Sequence, residues 1–203
     1  MQKIYGIIGG IGSGKSEVAK IFETFGAVVF NADKVGHEVL LIDSVKEIAR
    51  KRWGETVFDS GGEIDRKKLA KVVFEQSEKG AEELRFLTET TYPFITKEFD
   101  RRIAAAKQNG AELVILDAPL LFEANWNHLV SHVIFVDVPE SIRWDRVKSR
   151  GWSHEEFRRR EATQWSIERK KQVADIVISN SCSREKLVAD VEKIVSSSSL
   201  PTT

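Results

Sequence analysis

The run Gly9-Gly10-Ile11-Gly12-Ser13-Gly14-Lys15-Ser16 combines glycines, a lysine and a hydroxyl at the spacing of a loop that wraps phosphate groups. The glycines let the backbone curl so that successive N–H groups converge on phosphate oxygens, at a helix N-terminus whose dipole also favours negative charge. In this pattern Lys15 reaches the β- and γ-phosphates of a nucleoside triphosphate and Ser16 ligates magnesium, so a nucleoside triphosphate with Mg2+ is the expected ligand. The residues that would line the nucleotide are Gly10, Ile11, Gly12, Ser13, Gly14, Lys15, Ser16 and Glu17. Asp117 ends the apolar run Leu113-Val114-Ile115-Leu116 and fits the second acidic element that holds magnesium or its water in such proteins. The same aspartate could instead cap the turn that follows.

Positioning such a loop takes a strand before it and a helix after it. Short β-branched runs predict strands at 3–9, 27–31, 112–117, 132–137 and 175–179, and Val18, Ala19, Ile21, Phe22 and Phe25 mark an amphipathic helix behind the loop. Strands alternating with helices predict a parallel sheet of about five strands covered on both faces, with ligands outside the carboxyl ends of the strands. The loop after the fourth strand and the segment from Asp175 to Asn180 are therefore expected to border the adenine.

About eighty residues separate the second and third strands, too many for a simple crossover, so a helical insertion is expected there. Val35, Val39, Ile42, Val45, Ile48 and Ala49 follow helical spacing, as do Leu69, Val72 and Val73, then Leu84 and Leu87, then Ile95, Phe99 and Ile103. Pro93 suits the first turn of the last of these helices and Gly110 its end. Asp59-Ser60-Gly61-Gly62 reads as a turn, with Trp53 and Phe58 packing as core nearby.

The chain has 203 residues, 41% of them hydrophobic and 31% charged, which suits a folded unit and excludes a low-complexity chain. Its 31 basic residues balance 31 acidic ones, so the broad positive field that nucleic acid or an anionic membrane demands is not expected. No apolar run approaches the roughly 20 residues that span a bilayer, and no secretory signal pattern precedes the first strand. Cys182 stands alone, which makes a reducing cytoplasm the simplest location. One charge asymmetry stands out: Arg143 to Lys171 holds ten Arg or Lys against five Asp or Glu. Read blandly it is a solvated helix face, and read functionally it is a lid facing an anion. The small polar residues 196–203 suggest a fraying tail.

Among proteins with this loop, a GTPase would carry an Asn-Lys-x-Asp element and an Asp-x-x-Gly switch, whereas here Asp117 runs into Ala118-Pro119-Leu120-Leu121. The helical insertion and the arginine-rich segment stand where a small-molecule kinase keeps its acceptor site and lid. Such a lid excludes water and spreads the charge of the moving phosphoryl group over fixed donors, with Arg143, Arg146, Arg150 and Arg160 as candidates.

Over residues 3–195 the chain resembles the dephospho-CoA kinase family. The resemblance rests on Gly9 to Ser16, Ala32-Asp33, Ile64-Asp65-Arg66 with Leu69 and Phe74, Pro119-Leu120-Leu121-Phe122-Glu123, Arg146, Arg150, Gln164, Ala174-Asp175 and Asn180. It implies the three-layer α/β fold of the P-loop kinases. In that fold 1–33, 111–140 and 172–195 form the nucleotide-binding core, 34–110 a helical acceptor-binding insertion and 141–171 a helical lid. It also implies ATP-dependent phosphorylation of the ribose 3′-hydroxyl of dephospho-CoA, with Mg2+ and with neither nucleic acid nor membrane as partner. The oligomeric state stays open at this level.

By the same resemblance Asp33, Lys15 and Arg146 are the catalytic residues, with Asp33 as general base. Arg150 and Asn180 join the loop in holding nucleotide, and Asp33, Arg66, Tyr92, Pro119 and Leu120 hold the acceptor. Ser16 and Asp117 hold the metal, and Gln164 lies at the base of the lid. Asp33 also suits a helix N-cap, and Arg66 a plain surface position. Three residues depart from the family pattern: Asn31 replaces an aspartate, Tyr92 before Pro93 replaces a histidine, and Glu17 replaces a threonine. Two other readings remain at this level: a P-loop kinase of another small hydroxylated acceptor such as a nucleoside, and a nucleotide-binding module that has lost catalysis.

Overall fold

The computed structural model describes residues 2–198. In chain order the elements are β1 (Lys3–Gly9), α1 (Lys15–Thr24), β2 (Val28–Asn31), α2 (Ala32–Val39), α3 (Asp43–Trp53), α4 (Arg66–Val73) and α5 (Glu78–Gln108), then β3 (Leu113–Asp117) and β4 (His132–Asp137). They continue as α6 (Glu140–Lys148), α7 (His154–Ala162), α8 (Ile167–Gln172), β5 (Ile176–Ser179) and α9 (Arg184–Ser198). The chain divides into two compact units: residues up to Asn31 with those from Arg102 onward, and Ala32–Arg101. No helix among the described residues is long and apolar enough to cross a membrane.

The first unit holds one sheet of order β2-β3-β1-β4-β5, parallel throughout. The five expected strands all form, with β2, β3 and β5 each starting one residue later than their apolar runs suggest. Because side chains alternate along a strand, Tyr5 and Ile7 join Ile115, Ile134, Val136 and Ile178 in one buried layer with Val18, Ile21 and Phe22 of α1 and Leu187 and Val191 of α9. The chain goes from β1 to one side of the sheet for β2 and β3, then to the other side for β4 and β5. The carboxyl end of β1, where Gly9 opens the glycine-rich loop, is thus the switch point at which such sheets bind ligands.

In the second unit the run from Val35 to Ala49 is two helices, not one. α2 ends at Val39 and α3 starts at Asp43, leaving Leu41, Ile42 and Ile48 exposed despite their helical spacing. The turn at Asp59 is present: Asp59 Oδ1 accepts from the N–H groups of Gly61 and Glu63, and Phe58 bridges Ile64 antiparallel. Trp53 meets Phe86 edge-on at 5.5 Å, and its indole N–H donates to the buried Glu83, which also accepts from Arg52. Arg52, then burial opposing it and Trp53 reinforcing it, set the balance that holds the Glu83 carboxyl below the usual carboxylate range.

Pro93 does not open a helix; it lies inside α5, a single helix of 31 residues. Thr91, Ile95 and Phe99 are buried on one face while Pro93 and Glu89 are exposed on another. The carbonyl that loses its partner at proline therefore faces solvent, and continuous packing carries the helix through. Thr88 and Thr91 also donate to the carbonyls of Leu84 and Leu87 just before it. At the other end of the chain α9 continues helically to Ser198, past the start of the expected tail, whose residues 199–203 lie outside the described ones.

Candidate active site

Gly12 and Gly14 adopt φ values of +79° and +80°, a left-handed region that only glycine enters freely. Close approach adds a second reason: a Cβ on Gly12 would stand 2.5 Å from the Arg143 carbonyl oxygen, and one on Gly14 would stand 2.3 Å from Asn180 Nδ2. The loop so formed ends on α1, whose first residue, Lys15, donates through Nζ to the carbonyls of Gly9 (3.4 Å) and Gly10 (3.3 Å). Lysine, curled backbone and helix N-terminus thus share one small region of positive potential.

Next to Lys15, the Ser16 hydroxyl donates to Asp117 Oδ2 at 3.1 Å, and Asn31 Nδ2 donates to the same oxygen at 3.0 Å. Asp117 is only 2% exposed, at the carboxyl end of β3, and β3 lies between β1 and β2. A hydroxyl and a buried carboxylate this close supply the hard oxygen donors that magnesium takes, few in number because phosphates and water complete its shell. The donor set therefore fits Mg2+. Among the described residues no group of three or more His, Cys, Asp or Glu could hold a metal by itself.

The contact from Asn31 explains its departure from the family pattern: the amide is a donor that fixes Asp117. Asn31→Asp would set a second carboxylate about 3 Å from the first, and such a pair binds a proton or a divalent cation more tightly. We expect Mn2+ to bind this variant about tenfold more tightly than the parent, one charge contact of roughly 1.4 kcal/mol, as read by titration calorimetry. Unchanged Mn2+ affinity would show that Asn31 does not bear on the metal position.

Arg146 donates from Nη1 to the carbonyls of Gly12 and Ser13, and from Nη2 to the carbonyl of Asn180. Asn180 in turn donates from Nδ2 to the Ser13 carbonyl at 2.8 Å. Both residues thus brace the phosphate loop from behind. Asp175, expected beside the adenine, is at the other end of the sheet: its N–H donates to the Val133 carbonyl and its carboxylate accepts from the Val133 N–H. The reason is geometric, since Asp175 precedes β5 and the sheet is parallel, so only residues that follow β5 reach the loop.

The four arginine candidates separate. Arg143 is 3% exposed and donates to the carbonyls of Val138 and Ile11 while pairing with Glu161, so it is a buried brace and not a free lid arginine. Arg160 pairs with Glu156 at 2.8 Å and lies over the Trp152 ring. Arg150 is exposed in the turn after α6, and Arg159, which did not stand out in the sequence, is exposed on α7. Glu17 meets Arg184 at 3.7 Å on the surface, which offsets the charge it brings to the start of α1.

Beyond β3, Leu120 is half-buried and accepts from the Ala124 N–H, and the Pro119 carbonyl accepts from Lys170 Nζ. Lys170 also donates to Gln164 Oε1 at 2.8 Å. Burial pushes the Lys170 ammonium below the usual lysine range, opposed by the neighbouring Glu123. Neither Lys170 nor Glu161 stood out in sequence, because both sit inside a charge run that looks like a solvated helix face.

The second unit carries the remaining candidates. Asp33 is exposed in the first turn of α2, inside the helix and not at its N-cap. His37 stands four residues on, one turn along the same face. Partial burial, then the Arg66 charge, hold the His37 imidazole below its usual range. Arg66 opens α4 immediately after Asp65, whose Oδ1 caps that helix by accepting from Lys67 and Lys68 N–H. Those two bonds, Lys68 first, hold the Asp65 carboxyl below the usual carboxylate range. Arg66 is thereby presented on the exposed first turn of α4, and Tyr92 is half-buried on α5.

Comparison with known proteins places these features in a family. The dephospho-CoA kinase family model matches residues 3–186. A dephospho-CoA kinase of Enterococcus faecalis is 39% identical over 195 residues, covering 95% of this chain and 96% of its own. A solved Thermus thermophilus structure superposes with a TM-score of 0.82 at 31% identity, covering 97% of both chains. The dephospho-CoA kinase of Campylobacter jejuni shares the fold, with a TM-score of 0.67 at 24% identity over 97% of this chain and 96% of its own. With its phosphate loop, metal-suited carboxylate and five-stranded parallel sheet, the chain belongs to the dephospho-CoA kinase family.

Proposed function

We propose that this chain transfers the γ-phosphoryl group of ATP to the ribose 3′-hydroxyl of dephospho-CoA, giving CoA and ADP. The observation that carries this reading is the Ser16–Asp117 contact of 3.1 Å at the mouth of a phosphate loop, in a chain that matches the family over residues 3–186. We assign the acceptor to the helical unit within 34–110, closure over ATP to 141–171, and the cytoplasm as the site of action.

In this reading the 3′-oxygen attacks the γ-phosphorus as the bond to the β–γ bridging oxygen breaks, and ADP leaves with that oxygen's negative charge. Such a transfer asks the protein mainly for positioning and for donors aimed at charge on the moving group. Lys15 and the N–H groups from Gly10 to Ser16 supply those donors, and Arg146 with Asn180 keeps the loop in shape by binding its carbonyls. Ser16 and Asp117 would hold magnesium, which would supply positive charge to offset that of the phosphates. Asp33, two residues along the chain from Asn31, takes the proton of the 3′-hydroxyl as the new bond forms. Arg66 offers a planar pair of donors to a phosphate of the acceptor, with the Asp65 cap fixing its backbone. Arg150 contributes to closure over the nucleotide.

The test is ADP release from Mg-ATP by the purified protein with dephospho-CoA, adenosine or no acceptor. Release that depends on dephospho-CoA is expected. Release driven equally by adenosine, or no stimulation despite ATP binding, would overturn the assignment of the acceptor.

A further inference from the structure

A lysine 1% exposed is costly to bury unless each of its three N–H donors finds an acceptor. Lys170 on α8 donates to two separate segments, to Gln164 Oε1 at 2.8 Å and to the Pro119 carbonyl at 3.2 Å, and its charge pairs with Glu123 Oε1 at 3.6 Å. Glu123 Oε1 also accepts from the Trp165 N–H at 2.7 Å, while Glu123 Oε2 is buried with no hydrogen-bond partner among the described residues. Around this ion pair Phe122 stacks on Trp165 at 4.8 Å, and the Arg169 guanidinium lies 3.4 Å over the other partner of that stack, Trp165. Ile167 of α8 also reaches the loop, where its Cδ1 would stand 2.7 Å from a Cβ placed on Gly10.

We infer that Lys170 is a positioning residue that clasps the segment Pro119–Glu123 to the base of the arginine-rich region. Pro119 stands two residues beyond Asp117, so the bond from Lys170 fixes where β3 exits and where its terminal carboxylate meets Ser16. The same clasp immobilises Gln164 and Trp165, so that any closing movement of the arginine-rich region must hinge before Gln164. An apolar side chain would fill the space but leave the Pro119 carbonyl without the Lys170 donor and the Glu123 carboxylate without its counter-charge. This inference rests on the proposed kinase reaction for its kinetic readout only.

Lys170→Met alone would strand the buried Glu123 charge, so the informative protein is Lys170→Met combined with Glu123→Gln. That pair removes both charges, which can leave stability nearly unchanged, and keeps an acceptor for the Trp165 N–H. We expect it to melt like the parent yet lose about 10- to 100-fold in kcat, the cost of misplacing reacting groups by about 1 Å. The KM for ATP should stay within about twofold, since the lost contact is not to nucleotide. Amide exchange at 118–124 should quicken. Gln164→Met, which buries no charge, should lose about threefold in kcat in the same direction, the worth of one hydrogen bond.

A folded double variant with parental kcat and parental exchange at 118–124 would overturn the inference and leave Lys170 a charge balance for Glu123. If the double variant does not fold, parental kcat and exchange in Gln164→Met would overturn it equally. A parent that makes no CoA would count against the kinase reading, whereas exchange at 118–124 tests the clasp without any turnover.

Discussion

Lys15→Ala is expected to lower kcat about 1,000-fold, the loss seen when a fixed donor to transition-state charge is removed. Lys15 is the first residue of α1, and its ammonium lies along the phosphate loop within 3.4 Å of the Gly9 carbonyl. Alanine is the best helix former, so the substitution leaves α1 intact and the glycine geometry at Gly12 and Gly14 untouched. The loss should therefore fall on turnover, with the melting temperature within a few degrees of the parent, a shift of about 1 kcal/mol or less. Steady-state kinetics beside a circular-dichroism melt would check both. A variant within tenfold of parental kcat would mean that the charge of the moving phosphoryl group is carried by other donors, with Arg150 and Arg159 the next to test.

Asp33→Asn should cost about 100-fold or more in kcat, the lower part of the range for a general base. The substitution is nearly isosteric, and Asp33 is exposed in the first turn of α2, so no core contact changes. Because the amide cannot take the hydroxyl proton, the loss belongs in kcat and not in the KM for either substrate. Single-turnover rates of CoA formation would read the chemical step directly. Activity near the parent would remove Asp33 from the base role and leave it as part of the first turn of α2.

The features that were legible in the sequence are those set by local periodicity or by a contiguous motif. The five strands and the glycine-rich loop are of this kind: alternation and β-branching mark a strand without knowledge of its neighbours, and the run Gly9–Ser16 carries its own geometry. Pro93 misled because a proline signal is local, whereas the buried face through Thr91, Ile95 and Phe99 that keeps α5 continuous is not. The split between α2 and α3 was hidden for the converse reason, since Leu41, Ile42 and Ile48 keep helical spacing but are not core.

Long-range contacts were the least legible. Asn31 looked like the loss of an acid until it met Asp117, 86 residues away in sequence, and Lys170 looked like solvated charge until it met Pro119, 51 residues away. Arg143 was misplaced in the same way, since a buried arginine held by the Ile11 and Val138 carbonyls is indistinguishable in sequence from an exposed one. The family resemblance supplied Asp33 and Arg66, which spacing alone could not separate from a helix cap and a surface arginine.

The most direct test is transfer of label from γ-32P-ATP with Mg2+ and dephospho-CoA, with the product separated and the position of its phosphate determined. One labelled CoA for each ADP, phosphorylated at the ribose 3′-position, is the expected result. Label released as inorganic phosphate, or carried to any other position of the acceptor, would contradict it.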